Sequence, residues 1–168
     1  MKKTIIALMM SMIMLAVTAC GPAANNNSGT KTNDGGDGYF FTYMGTRVLM
    51  NEKTSEVLTS LGKYKNYFES EACAYQGLEK TYTYNGFALY TYPKDGVDYV
   101  LSVVLLDDTL STPEGISIGA SEKDVIAKYG NAGVEEKGSL KYTKDKSTIT
   151  FIIKNNEVDS IEYTAITK

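Results

Sequence analysis

The 168-residue chain has no histidine, no tryptophan, one arginine and two cysteines. Each shortage closes off a class of function. Without histidine there is no imidazole general base, no nucleophile–His pair and no His-ligated zinc. A lone arginine, Arg47, is too little for a phosphate-gripping cluster. The chain carries 17 basic and 20 acidic residues, a net charge of -3. That acidic balance argues against nucleic acid as a partner. The acids and lysines are scattered over turns and helix surfaces, where solvation explains them. Asp107-Asp108 is a tight acidic pair, and it precedes a turn. No catalytic residue, metal site or cofactor is expected, and the chain reads as no enzyme.

The two cysteines stand in different settings. Met1-Lys2-Lys3 is basic, Thr4 to Val17 is mostly Ile, Leu, Met and Ala, and Val17-Thr18-Ala19 leads into Cys20. A basic start, a short apolar run and small residues at a cut site form a secretory signal, here residues 1–19. The apolar run is short for a permanent membrane span. Removing Lys2 and Lys3 leaves 15 basic against 20 acidic residues, a net -5. Val-Thr-Ala-Cys resembles the lipobox of bacterial lipoproteins. That resemblance implies a diacylglycerol on the Cys20 thiol, cleavage before it, and an outward-facing position on the cell membrane. The glycine after Cys20 and the polar tether suggest a Gram-positive type of envelope. Cys73 is then the only free thiol, and Glu71-Ala72-Cys73-Ala74-Tyr75 reads as a setting for a small buried residue.

Residues 20–38 form the lipidated cysteine and a linker with no large apolar side chain. A chain of about 18 such residues spans roughly 20–25 Å. Asp34-Gly35-Gly36-Asp37-Gly38 lacks the alternating acids of a calcium loop.

Folding is expected from Tyr39 onward. Tyr39–Tyr43 and Thr46–Met50 read as short strands. Asn51 or Thr54 is placed to cap a helix carrying Val57, Leu58 and Leu61, with Gly62 as its stop. Lys63–Lys80 reads as a second short helix bearing Tyr64, Tyr67 and Phe68, or as a loop. Thr81–Tyr84, Asn85-Gly86 and Phe87–Tyr92 give a hairpin with a type I′ turn, Phe87 and Leu89 on one face, Tyr90 and Tyr92 on the other. Asp98–Leu106 is apolar enough for a central strand. In the second half Ser121 caps a helix with Asp124 at its third position, Val125, Ile126 and Tyr129 are inward, and Gly130 ends it. Three strands follow, at Leu140–Thr143, Thr148–Ile153 and Val158–Ala165.

The halves can be superposed. Offset by 68 residues, Glu56–Gly62 matches Asp124–Gly130, and offset by 58, Tyr84 matches Tyr142. The expected class is therefore α+β: two tandem helix–three-strand repeats, 39–112 and 113–168, forming one antiparallel sheet with the helices packed on one face. The run Gly119–Gly130 and the closing Val158-Asp159-Ser160-Ile161 resemble the module of the SmpA/OmlA outer-membrane assembly lipoproteins and of the β-lactamase inhibitory protein (a BLIP-like fold). The resemblance covers about residues 46–166 and implies binding of another protein without catalysis. The inhibitor's disulfides have no counterpart here.

Thirteen tyrosines, many at alternating strand positions, suit a binding face because tyrosine joins a large apolar ring to a polar tip. Tyr82, Tyr84, Tyr90, Tyr92 and Tyr99 are the candidate protein-binding patch. A glycan or lipid in an aromatic-lined groove is the alternative.

Overall fold

The computed structural model describes residues 38–131, 134–136 and 138–167. The expected signal segment, Cys20 and the expected linker up to Asp37 lie outside them. Among the described residues no helix is long and apolar enough to cross a membrane.

Ten strands and two eight-residue helices make up the fold among the described residues. They run β1 (Phe40–Tyr43), β2 (Thr46–Leu49), α1 (Thr54–Leu61), β3 (Asn66–Glu71), β4 (Leu78–Thr83), β5 (Phe87–Lys94), β6 (Val97–Leu105), α2 (Glu122–Tyr129), β7 (Val134–Glu136), β8 (Ser139–Lys144), β9 (Ser147–Lys154) and β10 (Glu157–Ala165). β1 and β2 pair as a separate hairpin. The other eight form one antiparallel sheet, ordered β3-β4-β5-β6-β10-β9-β8-β7.

This corrects the expected α+β class of two helix–three-strand repeats. The body is mostly β, and four strands follow each helix. The added strand in the first half is β3, in the stretch expected as helix or loop. Tyr64, Tyr67 and Phe68 have helical spacing, but Tyr67 pairs opposite Tyr82 and Phe68 opposite Thr81. Ring contacts among Tyr64, Tyr67 and Tyr82, two of them at 5.2 Å, reward the extended form. Nor do the helices alone cover the core face of the sheet. α1 buries Thr54 and Val57 and α2 buries Val125. The β1–β2 hairpin supplies Phe41, Val48 and Met50 to the same core. Phe41 lies 4.9 Å from Phe87 and 6.0 Å from Tyr163, ring centre to ring centre.

That core is fed by alternate strand positions: Leu89 on β5, Val103 on β6, Ile149 and Phe151 on β9, Ile161 and Tyr163 on β10. Register keeps them in rows, with Leu89 opposite Val103, Val103 opposite Tyr163, and Tyr163 opposite Ile149. Each large side chain buried this way contributes roughly 1.5–3 kcal/mol.

The two helices start differently. Ser121 accepts from the Asp124 N–H at 3.2 Å, and the Asp124 carboxylate accepts from the Ser121 N–H at 3.3 Å, so α2 has the expected capping box. α1 starts after Lys53 and has no side-chain cap. Neither Asn51 nor Thr54 fills that role: Thr54 is already helical and buried, and Asn51 is turned toward Tyr92. Both helices stop at a glycine with positive φ, Gly62 at 75° and Gly130 at 88°. Tyr84 donates its hydroxyl to the Gly62 carbonyl at 3.3 Å, and Tyr142 donates to the Gly130 carbonyl at 2.9 Å. Each helix end is thus tied to the sheet by one tyrosine.

Turn chemistry fits the strands with one difference. Asp95-Gly96 and Asn155-Asn156 have both central residues at positive φ, as a type I′ hairpin requires. At Asn85-Gly86 only Gly86 does, with φ of 78°, so the expected I′ geometry is not adopted there.

Cys73 is exposed, which corrects its reading as a buried residue. It lies between β3 and β4, where the neighbouring Glu71, Ala74, Gln76 and Gly77 are exposed too.

Candidate functional site

The five candidate tyrosines are not brought together on one exposed face. Tyr82, Tyr84 and Tyr92 are buried, with 8%, 4% and 6% of their surface exposed. Tyr82 and Tyr84 belong to the core, where Tyr84 stacks on Phe87 at 4.8 Å and 4°. Burial is the main cause that pushes the hydroxyls of Tyr82, Tyr84 and Tyr92 above the usual tyrosine range. Tyr99 is half-buried and packs on Tyr92 at 5.8 Å. Tyr90, at 36% exposure, is the most open of the five.

Simple alternation puts Tyr90 and Tyr92 on the same face. The β5–β6 register shifts between Tyr90 and Thr91, leaving Leu101 without an opposite number. Beyond the shift the two tyrosines part company. Tyr90 lines a shallow groove on the sheet, and Tyr92 lines a separate cleft.

The groove, about 630 Å³, crosses β3, β4, β5, β6 and β10. Its apolar strip is Phe68, Tyr90, Leu101 and Val104, flanked by the carboxylates of Glu79 and Glu162. Phe68 is 66% exposed. It is held out because its strand pairs on one side only, as the outermost strand of the sheet. Register aligns the rest: Phe68 opposite Thr81, Thr81 opposite Tyr90, Tyr90 opposite Ser102, and Glu162 opposite Val104. These residues occupy the positions that alternate with the core set. Among the described residues no lysine or arginine lines the groove.

No family model, curated protein or solved structure matches the chain.

Sequence reasoning found Tyr90 and missed the rest of the groove. Phe68 lies in the stretch that reads as helix or loop. Leu101 and Val104 sit in a run apolar enough to read as wholly interior. Glu79 and Glu162 look like ordinary solvated acids until the register sets them at the two flanks. Among the described residues no group of three or more potential metal ligands converges. Asp107 is occupied by its own turn, where its carboxylate accepts from the Thr109 hydroxyl and, at 3.0 Å, from the Thr109 N–H. Those bonds hold its pKa below the usual carboxylate value.

Proposed function

We propose that this is a lipid-anchored, non-catalytic protein of the bacterial cell envelope that binds another protein through the groove on its sheet. The observation that carries the reading is the groove itself: an apolar strip of exposed Phe68 and Tyr90 and half-buried Leu101 and Val104, flanked by Glu79 and Glu162. A solvent-facing strip with a charged flank is the anatomy of a protein-binding surface. Two carboxylates, with no lysine or arginine among the described lining residues, suit a partner that presents an apolar ridge beside basic residues. The resemblance of Gly119–Gly130 to the module of protein-binding envelope lipoproteins supports the same reading. So does the lipobox-like Val17-Thr18-Ala19-Cys20, which would hold the body at the membrane.

The test is capture of partners from solubilised membranes with the full chain as bait, compared with a Phe68→Ser/Tyr90→Ala variant. Phe68 is largely solvent-facing and Tyr90 lies outside the core cluster, so the variant should fold. A partner retained by the unaltered bait and lost by the variant is the expected result. No specific partner, or equal capture by the variant, would refute the groove as the binding surface. Anchoring is tested separately. Cys20→Ala should release or misprocess the protein, and a variant still membrane-bound and cut at the same place would refute the lipid anchor.

A further inference from the structure

A second concavity lies elsewhere on the molecule, and none of its lining residues is shared with the groove. It opens where β6 and β10 separate. Their pairing runs through Val104, Val103 and Ser102. At Val100 the neighbour of β6 is instead the turn before α1: the Asn51 N–H donates to the Val100 carbonyl, and the Val100 N–H to the Glu52 carbonyl, both at 2.9 Å. The space left between this turn, the β5 and β6 ends and the β8–β9 turn is a cleft of about 420 Å³. That size is within the roughly 300–1,000 Å³ usual for ligand sites.

The cleft is braced. The Tyr92 hydroxyl donates to Asn51 Oδ1 at 2.8 Å, and Asn51 Nδ2 donates to the carbonyls of Lys146 at 3.3 Å and Ile166 at 3.4 Å. One asparagine therefore joins three segments of chain. Behind it Tyr92 is held between Tyr75 at 5.0 Å and Tyr99 at 5.8 Å, and the Tyr75 hydroxyl meets Thr167 Oγ1 at 3.0 Å. The half-buried ring of Tyr99 forms part of the wall.

Lys94 and Lys146 line the same cleft with Asp145, and both lysines are exposed. Lys80 and Lys154 have carboxylate partners, Asp98 at 2.7 Å and Asp159 at 2.6 Å. Among the described residues Lys94 and Lys146 have no such ion pair. Among the described lining residues two ammonium groups stand against one carboxylate, in a chain of net charge -3.

We propose that this cleft binds an acidic sugar, a sugar ring bearing a carboxylate. The C–H face of such a ring is apolar and lies well on a tyrosine, its hydroxyls can bond to Asp145 and Thr167, and its carboxylate can be met by two unpaired lysines. A neutral sugar leaves both ammonium groups unmet, and a compact anion leaves the aromatic wall uncovered.

The test is calorimetric titration of the full chain in a polyoxyethylene detergent, which carries no sugar of its own. The probes are trigalacturonate, neutral maltotriose and citrate. Trigalacturonate is expected to bind at least about tenfold more tightly than either comparison probe. Lys94→Met/Lys146→Met should weaken it by about tenfold or more, and Tyr99→Ala by a similar factor. Phe68→Ser/Tyr90→Ala, on the other concavity, should leave it unchanged, so this site and the protein-binding groove fail or stand independently. The lysine pair is exposed, and an unaltered thermal melt would confirm that its variant folds. The proposal is overturned by no heat of binding at about 10 mM trigalacturonate, by maltotriose or citrate binding as tightly, or by the lysine variant binding within about twofold of the unaltered chain.

Discussion

Alkaline pH should unfold this protein through two of its tyrosines. Tyr129 is largely buried and donates its hydroxyl to the Glu114 carboxylate. Burial first, and that hydrogen bond second, push its pKa far above the usual tyrosine value of 10.0. Tyr163 is 1% exposed, and its hydroxyl has no hydrogen-bond partner among the described residues. Burial and then the charge of Glu114 move it the same way. Above pH 10 the unfolded chain releases these two protons and the folded chain keeps them. Stability is therefore fully present below pH 10 and falls as pH rises further. At pH 11 each group costs about 1.4 kcal/mol, and at pH 12 about 2.7 kcal/mol. The pair together removes about 2.8 and then about 5.4 kcal/mol, against a typical total of roughly 5–15 kcal/mol. Tyr39, Tyr82, Tyr84, Tyr92 and Tyr142 are shifted in the same direction by burial and add to the effect. With no histidine in the chain, the plateau from about pH 6 to 9 should be nearly flat.

The assay is urea unfolding followed by far-ultraviolet circular dichroism across this range, with phenolate absorbance recorded in parallel. Phenolate from these two tyrosines should appear together with unfolding. Tyr163→Phe should reduce the alkaline slope by about 1.4 kcal/mol per pH unit. At neutral pH the same variant should be as stable or more so, because it deletes a buried unpaired hydroxyl, whereas Tyr129→Phe should cost about 1.5–3 kcal/mol by losing its bond to a carboxylate. A stability unchanged to pH 12, or an alkaline slope that survives replacement of both tyrosines, would refute the reasoning.

The remaining predictions concern particular positions. Ser121→Ala removes the α2 capping box and should cost about 1 kcal/mol, whereas Lys53→Ser adds a cap that α1 lacks and should gain about 0.5–2 kcal/mol, both read from urea midpoints. Gly86→Ala should destabilise by at least about 1 kcal/mol. Gly86 holds φ at 78°, and an added Cβ would come within 2.8 Å of Thr109 Oγ1 and 2.9 Å of Leu110 Cδ1. A Gly86→Ala protein of unchanged melting temperature would contradict that geometry. Cys73 is exposed, so a maleimide should modify it in the folded protein without denaturant, and protection until unfolding would place it in a core.

Local signals suffice where the backbone alone decides. Ser121, Asp124 and Gly130 specify the ends of α2 through bonds within one helical turn, and no distant residue is needed. Asp95-Gly96 and Asn155-Asn156 specify their turns in the same way. The first-half region was misread because its information is not local. Tyr64, Tyr67 and Phe68 fit a helical spacing as well as an extended one, and only Tyr82 on the next strand settles which is used. The uncapped start of α1 has the same origin: Asn51 is a good capping residue, but Tyr92 and two carbonyls from the far end of the chain take its side chain.

The groove and the cleft follow this division. The sequence by itself determined the absence of histidine chemistry, the alternation that fills a core with Leu89, Val103, Phe151 and Tyr163, and the turns that make neighbouring strands antiparallel. Only the tertiary structure decided which face each tyrosine reaches. One register shift between Tyr90 and Thr91 separates Tyr90 from Tyr92, and the parting of β6 from β10 creates a cleft that no stretch of sequence announces. Side-chain direction along a strand is a two-residue property, but pairing partners are set by contacts tens of residues apart. A surface assembled across strands β3 to β10 therefore exists only once the sheet has closed.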